Sequence, residues 1–154
     1  MNAIERRFII SNKIRNFLTF LFVCFIAFGM VVSFVKFPVS VAGIFFKVEP
    51  PAYVPIQADH TYARAIGYNK VQLIYENQNE SVIVWATSKL GWNNVSDWDE
   101  SLTLPDGTTA YYTVGANDTQ MFSWTKGKVE YSIDYKGTRY LAKDEFIKTA
   151  LSIK

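Results

Sequence analysis

The residues best able to do chemistry lie together in "GWNNVSDWDES", from Gly91 to Ser101. Asp97, Asp99 and Glu100 place carboxylates close enough to share a calcium ion, but the stretch lacks the Gly and bidentate Glu at the spacings of the familiar calcium loop. Trp92 and Trp98 stand beside Asn93, Asn94 and Asp97. An aromatic face with a few fixed polar groups beside it is how a sugar ring of a cell wall is stacked on and hydrogen-bonded. The expected ligand-binding set is therefore Trp92, Asn94, Asp97, Trp98 and Asp99. The competing reading has the tryptophans covering the edge of a core and the acids capping a turn before "SLTLPDG". A paired-carboxylate hydrolase would need one acid with a raised pKa inside a cleft, and the sequence displays neither.

Elsewhere the chain offers little to a catalyst. His60 is the only histidine and stands in "QADHTYAR" without a partner ligand; Cys24 is the only cysteine and lies inside an apolar run. Cys/His nucleophile pairs and conventional zinc sets are thus excluded, and the glycines are dispersed at turns rather than gathered into a phosphate-cradling loop. The expectation is a protein that is not an enzyme and that needs no cofactor or metal. The formal net charge is +2, yet Arg6, Arg7, Lys13, Arg15 and Lys36 against Glu5 leave everything after Lys36 mildly acidic. Phosphate binding requires a clustered basic face, so a nucleic-acid partner is disfavoured. With Cys24 alone, the region after Pro50 can form no internal disulfide, a habit of bacterial envelope domains more than of small animal secreted ones.

The elements that must position these residues begin with "FLTFLFVCFIAFGMVVSFV", Phe17 to Val35, which carries no charge and shows no polar face. As a helix it rises about 28 Å, close to the roughly 30 Å of bilayer hydrocarbon. The expectation is a transmembrane helix over 17–35, after a basic cytoplasmic segment over 1–16. Arg6, Arg7, Lys13 and Arg15 precede the run, and the positive-inside rule then places the amino terminus in the cytoplasm and the rest outside, on a single-pass cell-membrane protein. Cleavage after Ala42 would make the run an export signal instead, but such apolar cores are usually shorter. A lipoprotein reading at Cys24 fails on bulky Val23. Gly29 and Ser33 form a small-xxx-small spacing suited to helix self-association. Pro38 is expected to end the helix, and 36–56 to be an extended linker in which the apolar "VAGIFF" packs on the domain or sits at the outer headgroups before the stiff "EPPAYVP".

From 57 to 154 the signals are strands and turns. "VQLIY" and "SVIVWAT" are joined by "ENQNE"; "TAYYTV" and "QMFSW" are separated by "GAND"; and "TKGK" leads into "VEYSIDY", with Gly127 free to supply positive φ. In that last strand Val129, Tyr131, Ile133 and Tyr135 share a dry face, while Glu130, Ser132 and Asp134 share a wet one. After Gly137, Phe146, Ile147, Ala150 and Leu151 recur at helical spacing, with Asp144 and Glu145 early and Lys148 late, the order a helix dipole favours. The expected fold is α+β: an N-terminal transmembrane helix, an antiparallel sheet of five or six strands, and a C-terminal amphipathic helix packed on it.

The order "PPAYVP", "VQLIYENQNESVIVWATS", "SDWDESLTLPDGTTAYYT", "QMFSWTKGKVEYSIDYKG" and "LAKDEFIKTALSI" resembles a bacterial extracytoplasmic domain of unknown function. That domain occurs on membrane-bound anti-sigma-like and sporulation-associated proteins of Gram-positive bacteria. The resemblance covers roughly 50–153 and is most telling in the strand pair from Trp124 to Tyr131 and the helix ending "ALSI". It implies a membrane-anchored outer module. Only about 16 residues precede the apolar run, too few for a folded sigma-binding domain, so sigma-factor sequestration is not carried over. Three functions follow as expectations: a non-catalytic interaction or sensory module whose partners are the lipid bilayer and another envelope protein; a cell-wall carbohydrate binder; or a weak carboxylate hydrolase.

Overall fold

The structure, a computed structural model, describes residues 12–46, 48–88 and 97–154, with side chains left aside over 28–34 and 44–46. Helix α1 (Asn12–Phe34) leads through Phe37 into a short apolar helix, α2 (Val39–Phe46). Seven strands follow: β1 (His60–Ile66), β2 (Lys70–Glu76), β3 (Ser81–Thr87), β4 (Glu100–Thr103), β5 (Thr109–Val114), β6 (Gln120–Lys126) and β7 (Val129–Lys136). Helix α3 (Lys143–Leu151) closes the chain.

All the strands are antiparallel to their neighbours and form one sheet, in the order β1-β2-β3-β7-β6-β5-β4. It is built from two meanders, β1 to β3 and β4 to β7, stitched together where β3 lies against β7. Tight turns join the hairpins, and Gly67 (φ 69°) and Gly127 (φ 62°) adopt the left-handed backbone that a side chain would resist. Seven strands replace the five or six expected. The two additions are edges: β1, whose inward residues are the small Ala63 and Ala65, and the four-residue β4.

The expectation of a transmembrane helix is overturned as well. Among the described residues no helix is long and apolar enough to cross a membrane. The first turns of α1 carry Asn12, Lys13, Arg15 and Asn16, which are polar or charged. The single-pass description is withdrawn with that expectation. Arg6 and Arg7, expected to orient the span, lie outside the described residues; Lys13 and Arg15 are exposed on α1. Gly29 and Ser33 fall where side chains are not described. Pro38 starts a helix rather than ending one, since α1 stops at Phe34 and the Pro38 carbonyl accepts from Val41 N–H at 2.9 Å. Helical α2 therefore occupies part of the stretch expected to be extended.

The core lies on one face of the sheet, where Val71, Leu73, Val82, Val84, Phe122 and Ile133 meet Ala42 of α2 and Phe146, Ala150 and Ile153 at the carboxyl end. Phe122 stacks on Phe146 with ring centroids 5.8 Å apart, fixing α3 to the sheet centre. Trp124 and Tyr131, directly paired across β6 and β7, stack at 5.2 Å. Ile147 is half-buried and Leu151 exposed, so only part of the apolar stripe of α3 meets the sheet. The other face is less wet than β7's alternation suggests: Ser132 is 1% and Glu130 8% exposed. Trp85 explains part of this, because its indole N–H reaches across from β3 to donate to Asp134 at 2.8 Å. Burial pushes the Asp134 carboxyl up, and the bonds from Trp85 and Ser132 partly offset that.

Phe122 is fully buried between Trp124 and Phe146. Phe122→Ala should cost about 3–5 kcal/mol of stability through lost transfer energy and a residual cavity. Urea unfolding followed by tryptophan fluorescence measures this, and a loss below about 1 kcal/mol would show that the ring is not the core's centre.

Candidate functional site

Of the expected binding residues, Trp92 and Asn94 lie outside the described residues, and Asp97, Trp98 and Asp99 are described. Trp98 is half-buried and packs at a tilt against Tyr111 of β5, with centroids 5.9 Å apart. Tyr111 projects from the sheet face opposite the core and is 41% exposed. Together they form a small aromatic shelf that the sequence placed only in half, because Tyr111 sits in "TAYYTV" with nothing to mark it as Trp98's neighbour.

Asp99 is committed elsewhere. Its Oδ2 accepts from Thr113 Oγ1 at 2.7 Å and from Val114 N–H at 3.1 Å, which fastens the approach to β4 against the end of β5. Those bonds hold its carboxyl below the ordinary aspartate value. A proton-donating acid needs the opposite shift. Glu100 pairs with Lys143 of α3, and the Lys143 ammonium lies 5.1 Å from the centroid of the Tyr112 ring. Beneath it, buried Gln120 donates to Tyr112 Oη at 2.8 Å and to the Leu141 carbonyl at 2.9 Å, while its own carbonyl accepts from Leu141 N–H at 2.8 Å. Every arm of that amide is satisfied, so it clamps the entry to α3.

The same end of the sheet holds a feature that sequence reading missed, a polar cleft of about 450 Å³ between the β2–β3 turn and the loop after β7. Gln57, Asp59, Asn77, Glu80 and Arg139 line it. Asn77 shapes the turn: its Oδ1 accepts from the backbone N–H of Asn79 and Glu80, and its amide donates to the Gln57 carbonyl at 2.8 Å. Glu80 Oε1 accepts from Tyr135 Oη at 2.7 Å and Arg139 Nε at 2.8 Å, and Arg139 also donates to the Pro55 carbonyl at 2.7 Å. Gly137 makes room, since a Cβ there would collide with the Tyr135 hydroxyl. The bonds from Arg139 and Tyr135 hold the Glu80 carboxyl below the usual glutamate value; burial, reinforced by Glu80, pushes Tyr135 up to about 12. Glu80 and Arg139 are 59 residues apart in sequence, and only the β3–β7 pairing brings them together.

Among the described residues, no group of three or more His, Cys, Asp or Glu side chains could hold a metal. His60 begins β1 and is exposed; Cys24 is exposed on α1. Polar clasps hold this end of the sheet together, and the Trp98–Tyr111 shelf lies on the same face as the Asp99–Thr113 clasp. Comparison with family models, with curated proteins and with solved structures returns no match to this chain.

The Glu80 clasp gives a pH signature. Its folded pKa is depressed, so its stabilising contribution is present above the unfolded value, about 4.3, and is lost as pH falls through the folded value. Glu80→Gln should therefore lower the urea midpoint at pH 7 and leave a smaller difference from the parent chain below pH 4 or so. Equal differences at both pH values would mean the carboxylate does not carry the clasp.

Proposed function

We propose that this chain is a non-catalytic accessory module, held against a lipid surface by α1, whose sheet domain contacts another membrane-associated protein. The observation that carries the reading is the exposure of α1. Phe20, Leu21, Phe22 and Val23 are consecutive and so point in every direction about the helix axis, yet all are exposed, as is Phe25 at 77%. A partner helix or a groove covers one stripe; an apolar medium covers all sides. Lys13 and Arg15, in the first turns, suit anionic headgroups. Contact with lipid is proposed, not a crossing. The absence of a match to known proteins leaves the partner's identity to experiment, and the acids engaged in clasps support an accessory role over a catalytic one.

Flotation of the full chain with phosphatidylcholine vesicles tests this. The parent chain should rise with the vesicles, and a Leu21→Asp, Phe25→Asp double variant should stay in the load. A parent chain that does not float removes the reading.

A second reading, a carbohydrate-binding module, is favoured by the Trp98–Tyr111 shelf. Titrating cell-wall oligosaccharides should change tryptophan fluorescence, and the change should vanish in Trp98→Ala combined with Tyr111→Ala. A response that survives the double substitution would place the site elsewhere.

A further inference from the structure

We infer that the sheet stands end-on to the lipid surface, with the β1–β2 and β6–β7 turns, carrying Tyr68, Lys126 and Lys128, docked on anionic headgroups. This rests on the proposed contact of α1 with lipid and adds which surface of the domain meets it.

Direction comes from the connection. Phe37 forms an isolated antiparallel bridge with Ala63 of β1, exchanging both backbone hydrogen bonds at 3.0 and 2.7 Å. In antiparallel pairing the residues before Phe37 run towards those after Ala63, so α1 departs from the end of β1 that leads into Gly67 and Tyr68. Lys36 folds back over the Tyr62 ring, 4.0 Å from its centroid. No free linker separates α1 from the sheet, and the end nearest α1 is fixed.

That end differs chemically from the other. The register places Lys70, Thr87 and Glu130 at one level, so the β1–β2 turn, the end of β3 and the β6–β7 turn lie together. Tyr68 at the first turn is 92% exposed, a large aromatic with no packing role. Lys126 and Lys128 flank Gly127 and are exposed, and Lys126 Nζ donates to the Ile153 carbonyl at 2.5 Å, which brings Lys154 to the same end. Among the described residues the acids there are Asp106, bonded to its own turn at Thr108 N–H and within electrostatic reach of Lys126, Glu49 near the Tyr131 hydroxyl, and the buried Glu130. The opposite end carries Asp59, Glu76, Glu80, Asp99, Glu100 and Asp118, with Arg139 and Lys143 engaged to two of them. A strand of seven residues separates the ends by about 20 Å, more than two Debye lengths at physiological salt, so the distal acids do not cancel the proximal lysines. Exposed tyrosine beside lysine is the chemistry of a headgroup interface, with the ring at the boundary and the ammonium groups on phosphate.

The test uses the full chain bound to phosphatidylcholine vesicles with and without phosphatidylserine, digested with trypsin. Cleavage after Lys126 and Lys128 should slow by about fivefold or more on the phosphatidylserine vesicles, the equivalent of about 1 kcal/mol for one lysine near anionic lipid. Raising salt to about 1 M, where the Debye length is about 3 Å, should restore it. Cleavage after Lys136, exposed at the other end, should be unchanged. A chain that floats with both vesicles but is cut equally in each overturns the end-on docking and leaves the lipid contact of α1 standing. A chain that floats with neither overturns both. Equal protection of Lys136 overturns the orientation, because the sheet would then lie flat.

Discussion

The pairing of β3 with β7 is the contact on which the rest of the molecule depends. Residues 81–87 pair in register with 130–136, and no hairpin turn brings them together. Without that pairing there are two meanders, each with an apolar face too small to bury alone. With it the faces of Val82, Val84 and Ile133 become continuous, and α3 has a surface to close over. The chain between them, 88–128, is long and includes β4, β5 and β6, so the closure entropy must be met by the core that results.

Polar contacts distant in sequence follow from the same pairing. Glu80 ends the β2–β3 turn and Tyr135 nearly ends β7; their hydroxyl–carboxylate bond exists because β3 and β7 are neighbours. Trp85 and Asp134 meet across the same pair on the opposite face. Each face of the central ladder thus carries one cross-strand bond to a carboxylate, and the two carboxyls shift in opposite directions because one is charge-paired near solvent and the other is mostly desolvated.

Five of the strands were legible because their β-branched and aromatic residues sit between evident turns: β2, β3, β5, β6 and β7. β1 was not, since "HTYARAI" puts alanine at its buried positions, and small residues there reflect the close approach of α2, a tertiary fact. β4 was too short for any period to register. The apolar run at Phe17 was visible as a helix, but the span read from it is not supported, since no helix among the described residues is long and apolar enough to cross a membrane. Of the candidate site, Trp98 was legible as an aromatic beside acids, whereas its partner Tyr111 and the Glu80–Arg139 clasp are products of register. Asp99 was read as a possible ligand group, and the bonds its Oδ2 accepts from Thr113 and Val114 were not visible in the sequence.

The bridge at Phe37 has a mechanical meaning. With both hydrogen bonds made to Ala63 and the ring of Phe37 packed against the core, there is no slack between the helix and the edge of the sheet. Where α1 meets the sheet is thus set by backbone hydrogen bonds and packing at a single residue.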